Sequence, residues 1–239
     1  MIRYRKPEND LTRRLTLNTA RNTAIQDRNA GRNYVQQDTI DALSELIPEF
    51  KDANRTMRAK MEIRMKEIRE KNEAFAFLIL TCRDFWEVGK RRTVRLQHPP
   101  EVLTYFDLPL TGIVPNPTRN KEWLSIAEKQ IKGNERAVAN GYPAMSNPSA
   151  GEVQDALTIA LSQYSDVAMA DREYDLAQER LAELRKTVDE LLKEVFLQLK
   201  FNLRHFDKSS QRRVMRTYGF KFEYFTRKEA TEADHNSLQ

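Results

Sequence analysis

Cysteine, histidine and glycine are scarce in this chain of 239 residues, which holds one Cys, three His and seven Gly. A single cysteine cannot form an internal disulfide, so a disulfide scaffold is excluded. Cys82 stands in an apolar stretch and reads as a small buried hydrophobe, because the nearest histidine, His98, follows 16 residues later. His98, His205 and His235 share no ligand spacing. No Glu-x-x-His pair of the kind that builds a metal centre in a helical bundle occurs. A glycine-rich phosphate loop and a nucleophile elbow are also missing. The residues therefore predict no metal, no cofactor and no catalysis. Long apolar runs are lacking too. The longest, AFAFLIL at residues 74–80, is far short of the roughly 20 residues that a bilayer requires. The opening MIRYRKPEND has no apolar core of a secretory leader. Together with the lone cysteine, this predicts a reducing, cytoplasmic setting.

What the chain has in quantity is charge. Charged residues make up 31% of it, with 40 Lys and Arg against 35 Asp and Glu, a net +5. Low glycine and high charge point to long helices, and two heptad stretches bear this out. The first carries Ile40, Leu43, Ile47, Phe50, Met57 and Met61, then after an inserted step of four Met65, Ile68, Phe75, Ile79, Cys82 and Trp86. Asn54 and Asn72 fall on this seam, where a polar residue either fixes register or reaches solvent. Pro48 is expected to kink or break the helix one turn before Phe50. The second stretch opens on a capping box, Ser149 to Glu152. It then runs from Leu157 through Leu181, Leu184 and Val188 to Val195. A neighbouring seam of Leu192, Phe196, Leu199, Leu203 and Phe206 overlaps its end and makes a face too wide for one partner.

Seven of the nine prolines lie in residues 97–150. Val102, Leu103, Tyr105, Phe106, Leu108, Leu110, Ile113 and Val114 make this connector too apolar for a solvated linker, so it packs over the helix ends. A shorter helix is expected from about Arg119 to Lys132, stopped by Gly133. With a returning connector the long helices are antiparallel, which places Leu78 near Ala168 and lets AFAFLIL pack on all sides. Near the C-terminus, residues 209–216 read as a short basic helix stopped by Gly219. Phe220, Phe222 and Tyr224 alternate with Lys221 and Glu223 as a strand over 220–225. That strand needs a partner, and Ile2-Arg3-Tyr4-Arg5 is the best one within the chain.

The predicted fold is thus all-α: an elongated antiparallel bundle on two long heptad helices, about 40–95 and 150–206, with shorter helices and one short C-terminal strand. Residues 1–37 form a basic helical or extended arm, 38–206 the bundle, and 207–239 the basic helix, strand and polar tail. Leu11, Leu15, Ala20, Ala24 and Ile25 are the residues by which the arm would fold back onto the wide face. Charge is unevenly spread: +5 over residues 1–37, −6 over 152–199 and +7 over 200–228.

The leading functional expectation is a structural subunit that assembles with copies of itself, as in a filament, tube or layer. Its interface residues are Phe196, Leu199, Leu203, Phe206, Phe220, Phe222, Tyr224 and Phe225. Arg212, Arg213 and Arg216 contact an acidic partner surface or phosphate. Further basic clusters are Arg13-Arg14 and Lys90-Arg91-Arg92 with Arg95. Two alternatives stand beside this reading: a nucleic-acid-binding helical protein using its basic ends, and a helical pore-former that inserts AFAFLIL.

Overall fold

The computed structural model describes residues 2–224. The chain is mostly helical, in the order β1 (Ile2–Arg5), α1 (Asp10–Asn29), α2 (Gln37–Arg95), α3 (Val102–Tyr105), α4 (Asn120–Ala139), α5 (Ala150–Asn202), α6 (Lys208–Thr217) and β2 (Lys221–Tyr224). The long helices α2 and α5 pack antiparallel. The chain divides into two compact units, one of residues 1–59 with 175–239 and one of residues 60–174, so each long helix contributes to both.

In the first unit the N-terminal segment folds back. Asn9 and Thr12 form a reciprocal capping box that starts α1, satisfying backbone donors that the helix itself cannot. Two forked ion pairs then tie α1 to α5. Arg13 donates Nε and Nη2 to the Asp189 carboxylate at 2.8 and 2.9 Å. Arg185 does the same to Asp10 at 2.8 and 2.7 Å. Leu17, Ala20 and Ala24 turn into the core beside Leu192, Val195, Leu199 and Leu203. Of the five residues expected to line the buried face of the arm, Ala20 and Ala24 do so, whereas Leu11, Leu15 and Ile25 are exposed. The buried stripe is Leu17, Ala20, Ala24 and Asp27. Small alanines let α1 approach closely, a consideration that outweighs the larger size of the leucines on the next face.

Pro48 lies inside an unbroken α2. A proline in a helix interior costs about 3 kcal/mol. Here Leu43, Leu46, Ile47 and Phe50 are all buried around it, and at about 1.5–3 kcal/mol for each large apolar side chain their packing overrides the local penalty. The polar seam residues do not set register. Asn54 donates to the Phe50 carbonyl of its own helix at 2.9 Å, and Asn72 is exposed.

In the second unit the register of the long helices is set by Lys60–Glu173 at 2.6 Å, Arg64–Asp171 at 2.5 Å and the edge-on rings of Phe75 and Tyr164. Leu78 accordingly shares a core with Leu157 and Ala160, about two turns from the expected Ala168. Ala168 is exposed. The heptad pattern allows several such registers, and the charges select among them. The AFAFLIL segment is not covered all round: Ala74, Phe75 and Leu78 are buried, while Phe77 and Leu80 face out.

The connector packs as expected through Val102, Leu103, Phe106 and Leu108, with Leu110 and Ile113 left exposed. Trp86 donates its indole N–H to the Phe106 carbonyl at 2.7 Å, and Gln130 its amide to the Cys82 carbonyl at 2.9 Å, pinning connector and α4 to α2. Helix α4 runs through Gly133 to Ala139, beyond the expected stop. The reason is tertiary. A Cβ at Gly133 would lie 1.9 Å from the Tyr105 carbonyl oxygen, so glycine serves close approach here rather than termination. The turn after α4 is made by Gly141, at φ +84°.

Gly133→Ala therefore opposes two effects. Alanine favours an exposed helix by about 1 kcal/mol, but the clash with a backbone oxygen costs about 1–3 kcal/mol or more. The net expectation is a lower denaturant midpoint with α4 displaced; equal or raised stability would contradict the packing described.

Candidate interaction surfaces

The residues expected to join copies lie largely inside the first unit. Leu199, Leu203 and Phe220 are buried in its core, with Phe196 and Phe222 packed against it. The partner strand is β1, antiparallel to β2 with Tyr4 opposite Phe222 and Arg5 opposite Lys221. Tyr4 stacks on Phe196 at 4.9 Å and meets Phe220 edge-on at 5.3 Å; Phe196 meets Phe220 edge-on at 5.5 Å. The wide face of α5 and the strand thus find their partners within the chain. Phe206 stays exposed. Tyr224 pairs in β2 through its backbone opposite Ile2. Phe225 and the polar tail lie outside the described residues.

Burial in this aromatic cluster, with Asp189 nearby, pushes the Tyr4 phenol up to about 12. A second buried phenol anchors α6 to α1. Tyr218, with no exposed surface, donates to Asp27 Oδ2 at 2.7 Å. The other Asp27 oxygen accepts Nε and Nη2 of Arg32 at 3.0 and 2.7 Å. Burial raises the Tyr218 pKa far above its ordinary range, and the carboxylate beside it adds to the effect. Composition flags neither residue: Tyr218 follows a basic helix, and Asp27 looks like a solvated helix acid.

Helix α6 is capped by Asp207, whose carboxylate accepts the Ser209 and Ser210 backbone N–H groups. Hydrogen bonding from the Ser210 hydroxyl, together with these backbone bonds, holds the Asp207 carboxyl below the usual carboxylate range. Gly219, at φ +86°, ends the segment against Thr16 and Thr19. Arg213 and Arg216 are exposed and Arg212 is half-buried, so the basic face of α6 points outward while Met215 points in.

Elsewhere the chemistry is sparse. Cys82 is buried, and burial pushes its thiol up to about 12, which keeps it protonated and unreactive at neutral pH. Among the described residues no group of three or more His, Cys, Asp or Glu is placed to hold a metal ion. No helix among them is long and apolar enough to cross a membrane.

A different surface emerges in the second unit. Between Lys60 and Glu73 no α2 residue is buried. Met61 and Met65 lie on the heptad seam yet are 46% and 59% exposed, and Tyr164 on the α5 seam is 49% exposed. Among the described residues no third element covers the two-helix stretch here, so the flank of the seam is open to water.

The forks between α1 and α5 carry a pH signature. Hydrogen bonding to Arg185 holds the Asp10 carboxyl below its usual range. A depressed carboxyl stabilises the fold above its unfolded pKa and loses that contribution as pH falls through the folded one. Asp10→Asn should therefore cost about 1 kcal/mol at pH 7, discounted for partial exposure, and less near pH 2.5, below the ordinary carboxylate range. Thermal melts at both pH values check this; an equal loss at each would contradict it. Tyr218→Phe should cost about 1–3 kcal/mol by leaving a buried carboxylate oxygen without its donor. Chemical denaturation reads that loss.

Comparison with protein-family models, curated proteins and solved structures finds no match to this chain.

Proposed function

We propose that the chain is a structural subunit that associates with copies of itself through the open seam of its two-helix stretch. The observation that carries this reading is the exposure of Met61, Met65 and Tyr164 at positions where heptad periodicity calls for burial. An apolar seam left in water favours association with a further helix. A second copy is a fitting partner because charges of both signs border the seam. Glu62, Glu67, Glu70 and Glu73 alternate with Arg64, Lys66, Arg69 and Lys71. Several of these charges already pair within the chain, as Arg64 does with Asp171 and Lys66 with Glu70, and a two-fold interface would repeat each contact on both copies. The aromatic cluster and the strand, satisfied within the chain, play no part in the joint.

Light scattering across protein concentration tests the reading. The expected mass of the parent rises above 28.0 kDa with concentration. Met61→Asp with Met65→Asp should hold the protein at monomer mass without loss of helical circular dichroism, since both side chains are already exposed. A parent that stays monomeric at all concentrations would overturn the proposal.

A further inference from the structure

In the second unit, the last three turns of α2 and the approach to α5 enclose an open groove of about 690 Å³, lined by Asp84, Val88, Arg91, Arg92, Arg95, Leu96, Asn147 and Pro148. Three arginines, Arg91, Arg92 and Arg95, are among its lining residues. Some arginines are paired with carboxylates, as in Arg5–Glu8, Arg13–Asp189, Arg32–Asp27 and Arg185–Asp10. Among the described residues, none of Arg91, Arg92 and Arg95 has such an ion pair.

Two of them are held in place by backbone oxygens instead. Arg91 donates Nε to the Glu87 carbonyl at 3.3 Å. Arg92 donates Nη1 to the Ala144 carbonyl at 2.6 Å and lies 3.7 Å from Met145 Sδ. Each bond occupies one nitrogen and leaves other N–H groups of the guanidinium unused. Asn147, at φ +56°, forms the opposite wall with Pro148. The negative end of the α2 dipole accounts for basic residues in its last turn, Arg92 and Arg95. Arg91 joins them through helical spacing, since Asp84, Val88, Arg91 and Arg95 recur every three or four residues on one face of α2.

The groove is polar along its length. Asp84 stands at one end, Val88 follows one turn on, and the arginines come next, with Leu96 beyond. Asp84 and Arg91 are seven residues apart, about 10 Å along the helix. Guanidinium forks match phosphate oxygens geometrically and electrostatically. A carboxylate repels phosphate but accepts hydrogen bonds from hydroxyl or amino groups, and Val88 offers apolar surface between the two.

We propose that this groove binds an organic phosphate, with its phosphates on Arg91, Arg92 and Arg95 and its donor-bearing organic end toward Asp84. This is a ligand site separate from the self-association surface and does not depend on it.

Isothermal titration of the full chain at low salt tests the assignment, with inorganic pyrophosphate and adenosine diphosphate as probes. Arg91→Gln with Arg95→Gln leaves Arg92 and its bond to Ala144 intact. The expected result is a loss of about tenfold or more in affinity for both probes. A variant of equal charge change elsewhere, Lys193→Gln with Lys200→Gln, should bind within about twofold of the parent. Asp84→Asn should tighten pyrophosphate and narrow the preference for the diphosphate nucleoside. No binding by the parent, or an equal loss in both double variants, would overturn the site. Equal affinity of the parent for the two probes would overturn the assigned organic end.

Discussion

Leu192, Phe196 and Leu199, with Leu203 just past the helix end, form one seam of α5, and Leu184, Val188 and Val195 form a neighbouring one. No single neighbouring helix can cover both directions, and at about 25 cal/mol for each Å² left in water an uncovered face of this width would erase much of a typical margin of stability. The first unit is organised around that requirement. Helix α2 covers one side with Leu43, Ile47 and Phe50, α1 a second with Leu17, Ala20 and Ala24, and the two-stranded sheet closes the rest through Tyr4 and Phe220. The polar contacts follow from this arrangement. The Arg13–Asp189 and Arg185–Asp10 forks set the position of α1 along α5, and Tyr218 and Asp27 join α6 to α1.

The second unit meets the same requirement at only one of its ends. Near the connector, Trp86, Trp123, Phe106 and Leu103 gather around α2 and α4, and Gly133 lets the Tyr105 carbonyl approach closely. Among the described residues, only α5 lies alongside from Lys60 to Glu73, held by Lys60–Glu173 and Arg64–Asp171. Exposed ion pairs of this type contribute about 0.2–1 kcal/mol each, so they select a register without replacing a core. The open seam and the unpaired arginines of the groove are thus distinct kinds of surface. One is largely apolar and the other cationic.

How far these surfaces could be read in advance depends on whether their signal is periodic. Met61 and Met65 are legible as seam residues, but their exposure is not, because a heptad records which side a residue faces and not whether anything is there. The cluster Lys90-Arg91-Arg92 with Arg95 is visible as a charge run. That Asn147 and Pro148, some fifty residues later, supply the other wall is invisible to any local pattern. Arg212, Arg213 and Arg216 lie on a short helix as read, and its cap is Asp207, whose carboxylate reaches two backbone N–H groups at once.

The sequence by itself determined the helical class, the two long helices and their antiparallel course, the Ser149–Glu152 cap and the pairing candidate Ile2–Arg5 for the C-terminal strand. The antiparallel course follows from the returning connector, and the others from spacing of 3.6 or 2 residues or from side chains that bond their own backbone within a turn. Tertiary structure alone decided that the N-terminal arm folds back, that α2 passes through Pro48, that α4 continues past Gly133, and that Leu78 shares its core with Ala160 rather than facing Ala168. In every such case a local preference of about 1–3 kcal/mol competes with burial or charge pairing between residues distant in the chain. Only the packed structure brings those competing groups together.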